Sequence, residues 1–277
     1  MDRLDDFRRV FSLVVAARGD CKNPNIQRAF ARVPRHEFIG PGPWHFTEHG
    51  SVAASIDPAL LYQDVALGLA FERGIPTGLP SLHARAFDAC AIGPGQRVVH
   101  VGAGAGYYTA ILAELVGEQG RVFGYEIDSA LAASAARHLE PWPWAKVEQA
   151  SGTSFGLDGV DVIYVSAGVE QIPARWLGSL RSGARLLCPL IPHGEEGAVL
   201  LVHHLGSDTA LAAQFLCPAR FVPCIGAEDD AGARGRLLAA FRAGTRGAVR
   251  SLRRPPEEPD DSAWYAGQGW WLSTRAA

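Results

Sequence analysis

Gly102, Gly104 and Gly106 follow the apolar run Val98-Val99-His100-Val101, and Glu126 closes a second apolar segment twenty positions after the last of them. Glycines at that spacing let a backbone approach a ligand closely, and a carboxylate ending the next strand can accept hydrogen bonds from both hydroxyls of a ribose. The chemistry indicated is adenosine binding at a strand, turn and helix. Dinucleotide sites need G-x-G-x-x-G/A, whose third small residue lets the helix pack closely while its N-terminus faces a pyrophosphate. In this chain the run is G-x-G-x-G, and Tyr107 stands where that small residue belongs. The spacing favours S-adenosylmethionine over NAD or FAD, with a cofactor-free sheet as the remaining alternative. The residues assigned to this cofactor are Gly102, Ala103, Gly104, Gly106, Tyr107, Glu126 and Ile127.

The elements that must position these residues are readable from periodicity. Leu4, Phe7, Val10, Phe11, Val14 and Val15 fall at helical spacing and predict a helix from Leu4 to Ala17. Asn25 to Arg32 gives a second helix, ended by Val33-Pro34. A poorly periodic stretch runs to Pro80, and a helix is predicted from Ser81 to Ala91. The pattern then alternates: strand 97–101, helix 107–116, strand 121–126, helix 129–139, strands near 146–149 and over 160–165, helix 173–181, and strands 184–188 and 198–204. Apolar, β-rich strands separated by helices imply a mostly parallel sheet covered on both faces. The expected class is α/β, a Rossmann-like doubly wound sheet of the class I methyltransferase type. It divides into an N-terminal helical segment with a substrate loop over 1–80, a cofactor-binding domain over 81–226 and a C-terminal extension over 227–277.

Composition narrows the functional classes. The 277 residues are 48% hydrophobic, enough for a sizeable core, and 26 basic against 29 acidic side chains leave a formal charge of −3. That balance gives no general electrostatic reason to bind nucleic acid or an anionic membrane. Cys21, Cys90, Cys188, Cys217 and Cys224 are odd in number and scattered, without a C-x-x-C pair, so no disulfide framework or zinc site is expected and a cytoplasmic setting is. The N-terminus is too acidic for a signal peptide, and no apolar run approaches the ~18 residues of a membrane helix.

Several separated segments together resemble the protein-L-isoaspartate O-methyltransferase family. Val33-Pro34-Arg35-His36-Glu37-Phe38-Ile39 is similar to its Val-Pro-Arg-x-x-Phe-Val segment, and Leu61-Tyr62-Gln63-Asp64-Val65-Ala66-Leu67 to its Tyr-x-Asp-x-x-Leu segment. Gly102 to Thr109 and Tyr125-Glu126-Ile127-Asp128 resemble its two cofactor segments, and Arg220-Phe221-Val222-Pro223-Cys224-Ile225-Gly226 its closing Arg-Phe-Val-Pro-Leu-x-Gly. The resemblance implies S-adenosylmethionine-dependent methylation of a side-chain carboxylate of a peptide or protein. Three positions depart from the pattern. Gly78 stands at the functional serine of the family's Gly-Gln-Thr-Ile-Ser-x-Pro loop, here Gly74 to Pro80; His100 replaces an acid; and Ala150-Ser151-Gly152 replaces Gly-Asp-Gly at the adenine edge. Ser151 and Gly152 thereby join the cofactor set.

A carboxylate acceptor is already ionised near pH 7, so methyl transfer needs alignment about 3 Å from the methyl and exclusion of water rather than a base. It does need donors. Thr77, Ser81, amides of the 74–80 loop and His83 are the candidates, and Asp64 is placed to order the loop by accepting amides. Surface readings stand beside these for His83 and Asp64. Serine restored at position 78 is expected to raise isoaspartyl activity. Two rival functions remain: methylation of another carboxylate, in a modified peptide or small molecule, and an S-adenosylmethionine-binding interaction protein without turnover.

Other motifs point elsewhere or nowhere. The Asn/Asp-Pro-Pro-Tyr/Phe signature of amino methyltransferases is absent, and Val165-Ser166-Ala167-Gly168 follows the fourth strand instead. His203 and His204 are adjacent in a strand and face opposite ways. The arginines from Arg234 to Arg254 read as a solvated face or as a site for an acidic peptide. Trp264, Trp270 and Trp271 read as core packing or as a flap.

Overall fold

The computed structural model describes residues 3–48, 51–227 and 232–277. In chain order the elements are α1 (Arg3–Arg18), α2 (Pro24–Arg32), β1 (Trp44–Glu48), β2 (Ser51–Ser55), β3 (Gly68–Ala70), β4 (Ile75–Pro76), α3 (Pro80–Ala89), β5 (Arg97–Val101), α4 (Tyr107–Val116), β6 (Arg121–Glu126), α5 (Ser129–His138) and β7 (Ala145–Gln149). There follow β8 (Val160–Val165), α6 (Ala174–Ser179), β9 (Leu180–Leu190), β10 (Gly197–His203), β11 (Ala210–Ala219), α7 (Ala233–Arg242), β12 (Ser251–Arg253), β13 (Ala263–Ala266) and β14 (Trp271–Ser273). From β5 to β9 parallel strands alternate with helices, the Rossmann-like α/β pattern that the sequence predicts.

Two compact units result, Met1–Gln96 with Ala103–Ala150, and Arg97–Gly102 with Ser151–Ala277. In the first, Asn23 caps α2 by accepting the Asn25 amide at 3.0 Å and Pro24 opens it, while Val33 before Pro34 ends it in extended backbone. All of α4 except Glu114 is buried, as befits a helix apolar on every face. Strands β6 and β7 pair in parallel from Val122 and Ala145 to Glu126 and Gln149, and Asp128 caps α5 by accepting the Leu131 amide at 2.9 Å. β1 and β2 form an antiparallel hairpin, and β3 pairs with β4.

In the second unit the strands lie in the order β13-β14-β12-β11-β10-β9-β8-β5. β5, β8 and β9 are parallel and every residue of β8 is buried, the signature of a strand covered on both faces. From β9 outward the pairing is antiparallel. The helix predicted over 173–181 ends at Ser179, because Leu180 already pairs with Val160 and starts β9. β11 to β14 were not read from the sequence. Trp270 and Trp271 are buried, with the Trp270 Nε1 donating to the Ile172 carbonyl at 3.2 Å and the Tyr265 hydroxyl to the Glu170 carbonyl at 2.9 Å. Tyr265, Trp270 and Trp271 are therefore core, while Trp264 is half-buried edge-on to Phe215 and Phe241. Among the described residues no helix is long and apolar enough to cross a membrane, and no cluster of His, Cys, Asp and Glu could hold a metal.

Candidate functional site

In the first unit the turn before α4 folds back onto the end of β6. The Gly104 amide donates to one Glu126 carboxylate oxygen at 2.7 Å and the Asp128 amide to the other at 2.9 Å, while the Ala103 amide donates to the Tyr125 carbonyl at 3.1 Å. Each Glu126 oxygen is thus oriented by one backbone donor and keeps acceptor capacity for a second. Gly104 and Gly106 hold φ values of +56° and +97°, a region that L side chains resist. At Gly106 a Cβ would also press on Ala135 at 3.2 Å, so the glycine lets α5 approach. Ile127 is 46% exposed beside the carboxylate, an apolar surface of the kind a purine ring covers. Tyr107 turns its ring into the core against Phe30 and Phe38, so only its backbone belongs to the turn.

The acceptor loop lies in the same unit. Thr77 Oγ1 accepts the Leu67 amide at 3.0 Å and directs its one proton at the Gly78 carbonyl, 3.1 Å away. Asp64 accepts the Ser81 amide at 2.9 Å and pairs with Arg18, which fixes the start of α3. Ser81 is buried in the first turn of that helix. His83 is 1% exposed and stacks on Tyr108 with centroids 3.6 Å apart and planes 12° from parallel. Gly78, at φ +80°, lies directly against the His83 ring. Three contacts here escaped sequence reasoning. Leu69 of β3 lies over the glycine turn, 3.1 Å from where a Gly104 Cβ would stand; Arg73 pairs with Asp128; and Arg35 donates to Thr77 Oγ1 at 3.3 Å. Only Arg35 carried a signal, its place in Val33-Pro34-Arg35.

The second unit holds the remaining candidates. Gly102, at φ +79°, follows β5 where the Ser166 amide donates to the Val101 carbonyl at 2.8 Å. His100 is buried, with Nε2 3.0 Å from Ser166 Oγ, and loss of solvent pushes its pKa down to about 3, so the ring is neutral where the family carries an acid. Ser151 Oγ pairs with Thr153 Oγ1 at 2.9 Å, and the Gly152 carbonyl accepts the Trp176 indole at 2.8 Å. A Cβ at Gly226 would come within 2.8 Å of Ser151 Oγ, so that glycine brings the closing Pro223-Cys224-Ile225-Gly226 segment onto Ser151.

A parallel strand, a glycine turn with positive φ, and an acid at the next strand end bonded to that turn define the class I methyltransferase fold. Residues 13–229 match the family model described as Protein-L-isoaspartate(D-aspartate) O-methyltransferase (PCMT), and the chain belongs to that family. A Roseiflexus castenholzii relative named protein-L-isoaspartate O-methyltransferase is 32% identical over 232 residues, 82% of this chain and 94% of its own. One of the same name from Pyrobaculum neutrophilum is 32% identical over 181 residues, 63% of this chain and 79% of its own. A solved structure of that name superposes with a TM-score of 0.65 at 23% identity, covering 79% of this chain and 66% of that one. A Plasmodium falciparum structure described as the same enzyme in complex with S-adenosyl-L-homocysteine gives 0.63 at 16% identity, covering 78% and 97%.

Proposed function

We propose that this protein is an S-adenosylmethionine-dependent O-methyltransferase acting on a side-chain carboxylate of a peptide or protein. The observation that carries the reading is the Glu126 carboxylate, oriented by the Gly104 and Asp128 amides with acceptor capacity left for two ribose hydroxyls. Family membership supplies the reaction class. When bound, the cofactor provides a methyl group already activated by its sulfonium. Ala103, Gly104, Gly106 and the Tyr107 backbone would receive the cofactor with Ile127 flanking the base, and the family's motif pattern adds Gly102, Ser151 and Gly152 to the cofactor set. Thr77 and Asp64 hold the loop, Gly78 gives it its turn, and Ser81 and the loop amides would face the acceptor. His83, expected from the sequence as a further donor, is instead buried against Tyr108 and Gly78 and supports the loop from within. A carboxylate needs no base, so these groups act by orienting it and excluding water.

The three-part division follows the same logic, with 1–80 carrying the acceptor loop, 81–226 the cofactor and 227–277 bracing the sheet. The odd and scattered set of five cysteines supports a reducing, cytoplasmic setting. Gly78 in place of serine favours a carboxylate other than isoaspartate as the better substrate. Mass spectrometry of peptides presenting aspartyl, isoaspartyl and C-terminal carboxylates separately tests both points. A gain of one methyl that is lost in mild base is expected, since an aspartyl ester hydrolyses or cyclises there. A base-stable product would overturn the carboxyl assignment.

A further inference from the structure

We infer that Arg35 is a positioning residue for the methyl acceptor, an inference that rests on the carboxylate-methylating reading above. The Arg35 guanidinium is 0% exposed, yet among the described residues its bonds go only to uncharged oxygens. They are the carbonyls of Leu61 at 3.1 Å, Gln63 at 2.9 Å and Val65 at 2.8 Å, and Thr77 Oγ1 at 3.3 Å. Phe11 and Tyr107 present ring faces 5.5 and 5.9 Å from the guanidinium carbon, and Nε has no partner among the described residues. Desolvating a full charge is costly, and a buried arginine without a carboxylate partner is a poor device for stability alone.

What the fork does is geometric. It gathers three alternate carbonyls of the 61–65 segment and reaches Thr77 from the same plane, a span that the compact ammonium of lysine cannot copy. Thr77 passes the restraint to the Gly78 carbonyl, and Asp64, projecting from the gathered segment, holds the Ser81 amide at the start of α3. One side chain therefore fixes both ends of the stretch from Thr77 to Ser81. Its charge, in a low-dielectric surrounding, also raises the local potential and favours an anionic acceptor.

The test uses the full chain with Arg35→Lys, Arg35→Ala and Thr77→Val. Acceptor kinetics, S-adenosylhomocysteine binding and amide hydrogen exchange are measured for each. Arg35→Lys is expected to lower kcat/KM for the acceptor about 10- to 100-fold, the scale of a small misplacement of reacting groups, while leaving S-adenosylhomocysteine affinity within about 3-fold. The Leu67, Thr77 and Ser81 amides should exchange faster, Thr77→Val should reproduce part of the loss, and added guanidinium should restore turnover to Arg35→Ala. Unchanged acceptor kinetics in Arg35→Lys would overturn the inference. So would equal losses in acceptor turnover, cofactor affinity and thermal stability without guanidinium rescue. If the wild-type protein methylates no carboxylate peptide, that reading falls by itself. Exchange then decides on Arg35: faster exchange confined to Leu67 and 77–81 supports it, and unchanged exchange refutes it.

Discussion

Nε2 of His83 sits where a side chain on Gly78 would begin, well inside the 3.0 Å that real Cβ atoms keep from other heavy atoms. Glycine at 78 is thus required twice, by the imidazole and by a φ of +80°. Serine there, expected from the sequence to restore isoaspartyl activity, meets both obstacles. Gly78→Ser should destabilise the protein by about 2–4 kcal/mol, from the left-handed backbone and overpacking together. His83→Ala removes only the second. The double variant should therefore be more stable than the sum of the singles by about 1–2 kcal/mol in a urea denaturation cycle. Strict additivity would show that His83 moves aside freely and that the two positions are independent.

Glu126 offers a sharper test of the cofactor site. Glu126→Ala removes the acceptor for two backbone amides and for the ribose, so S-adenosylhomocysteine binding should weaken by about 1.5–3 kcal/mol, the range for hydrogen bonds to a charged group. Calorimetry reads this directly. Equal affinity in the variant, or tighter binding of NAD than of S-adenosylhomocysteine by the wild type, would sink the assignment.

Burial of His100 makes stability depend on pH. Its folded pKa of about 3 lies below the ordinary 6.5, so the unfolded chain takes up the proton first on acidification. The contribution is complete above about pH 6.5 and falls as pH drops from there toward 3. Within that window it changes by about 1.4 kcal/mol per pH unit. His100→Gln should flatten the stability profile between pH 6.5 and 4.5 relative to wild type. Parallel profiles would show that the ring stays solvated or finds a partner for its charge.

The glycine turn and Glu126 were legible because their signal is local: glycine spacing fixes a turn, and the acid ends a strand whose register follows from its own apolar residues. The same holds for α2, α4 and β8, whose caps or uniform burial are written in adjacent residues. Leu69 and the pairing of Arg73 with Asp128 were not, and Arg35 showed its place in Val33-Pro34-Arg35 but none of its partners, since each meets a partner distant in the chain and two of them contact backbone that residue types do not reveal. The tail escaped for another reason. β12 and β14 are three residues each, too short for a period, and exist because β11 and one another complete their hydrogen bonds.

That dependence makes the tail testable. Deleting residues 255–277 removes β13 and β14, strips the β14 side of the pairing from Ser251, Leu252 and Arg253 while leaving their pairing with β11, and takes away the buried Trp270 and Trp271. Each indole accounts for at most about 4 kcal/mol of apolar burial, taking roughly 150 Å² at about 25 cal/mol/Å². The truncated protein should therefore lose several kcal/mol in chemical denaturation, with β12, still paired to β11 on one side, left as an unprotected edge and aggregation increased. S-adenosylhomocysteine binding should persist at temperatures where the remainder stays folded, because Glu126 and Gly104 bond to each other and to Asp128 without help from the tail. A truncation as stable as the full chain but unable to methylate peptides would reverse this, making the aromatic segment a substrate flap instead of a brace.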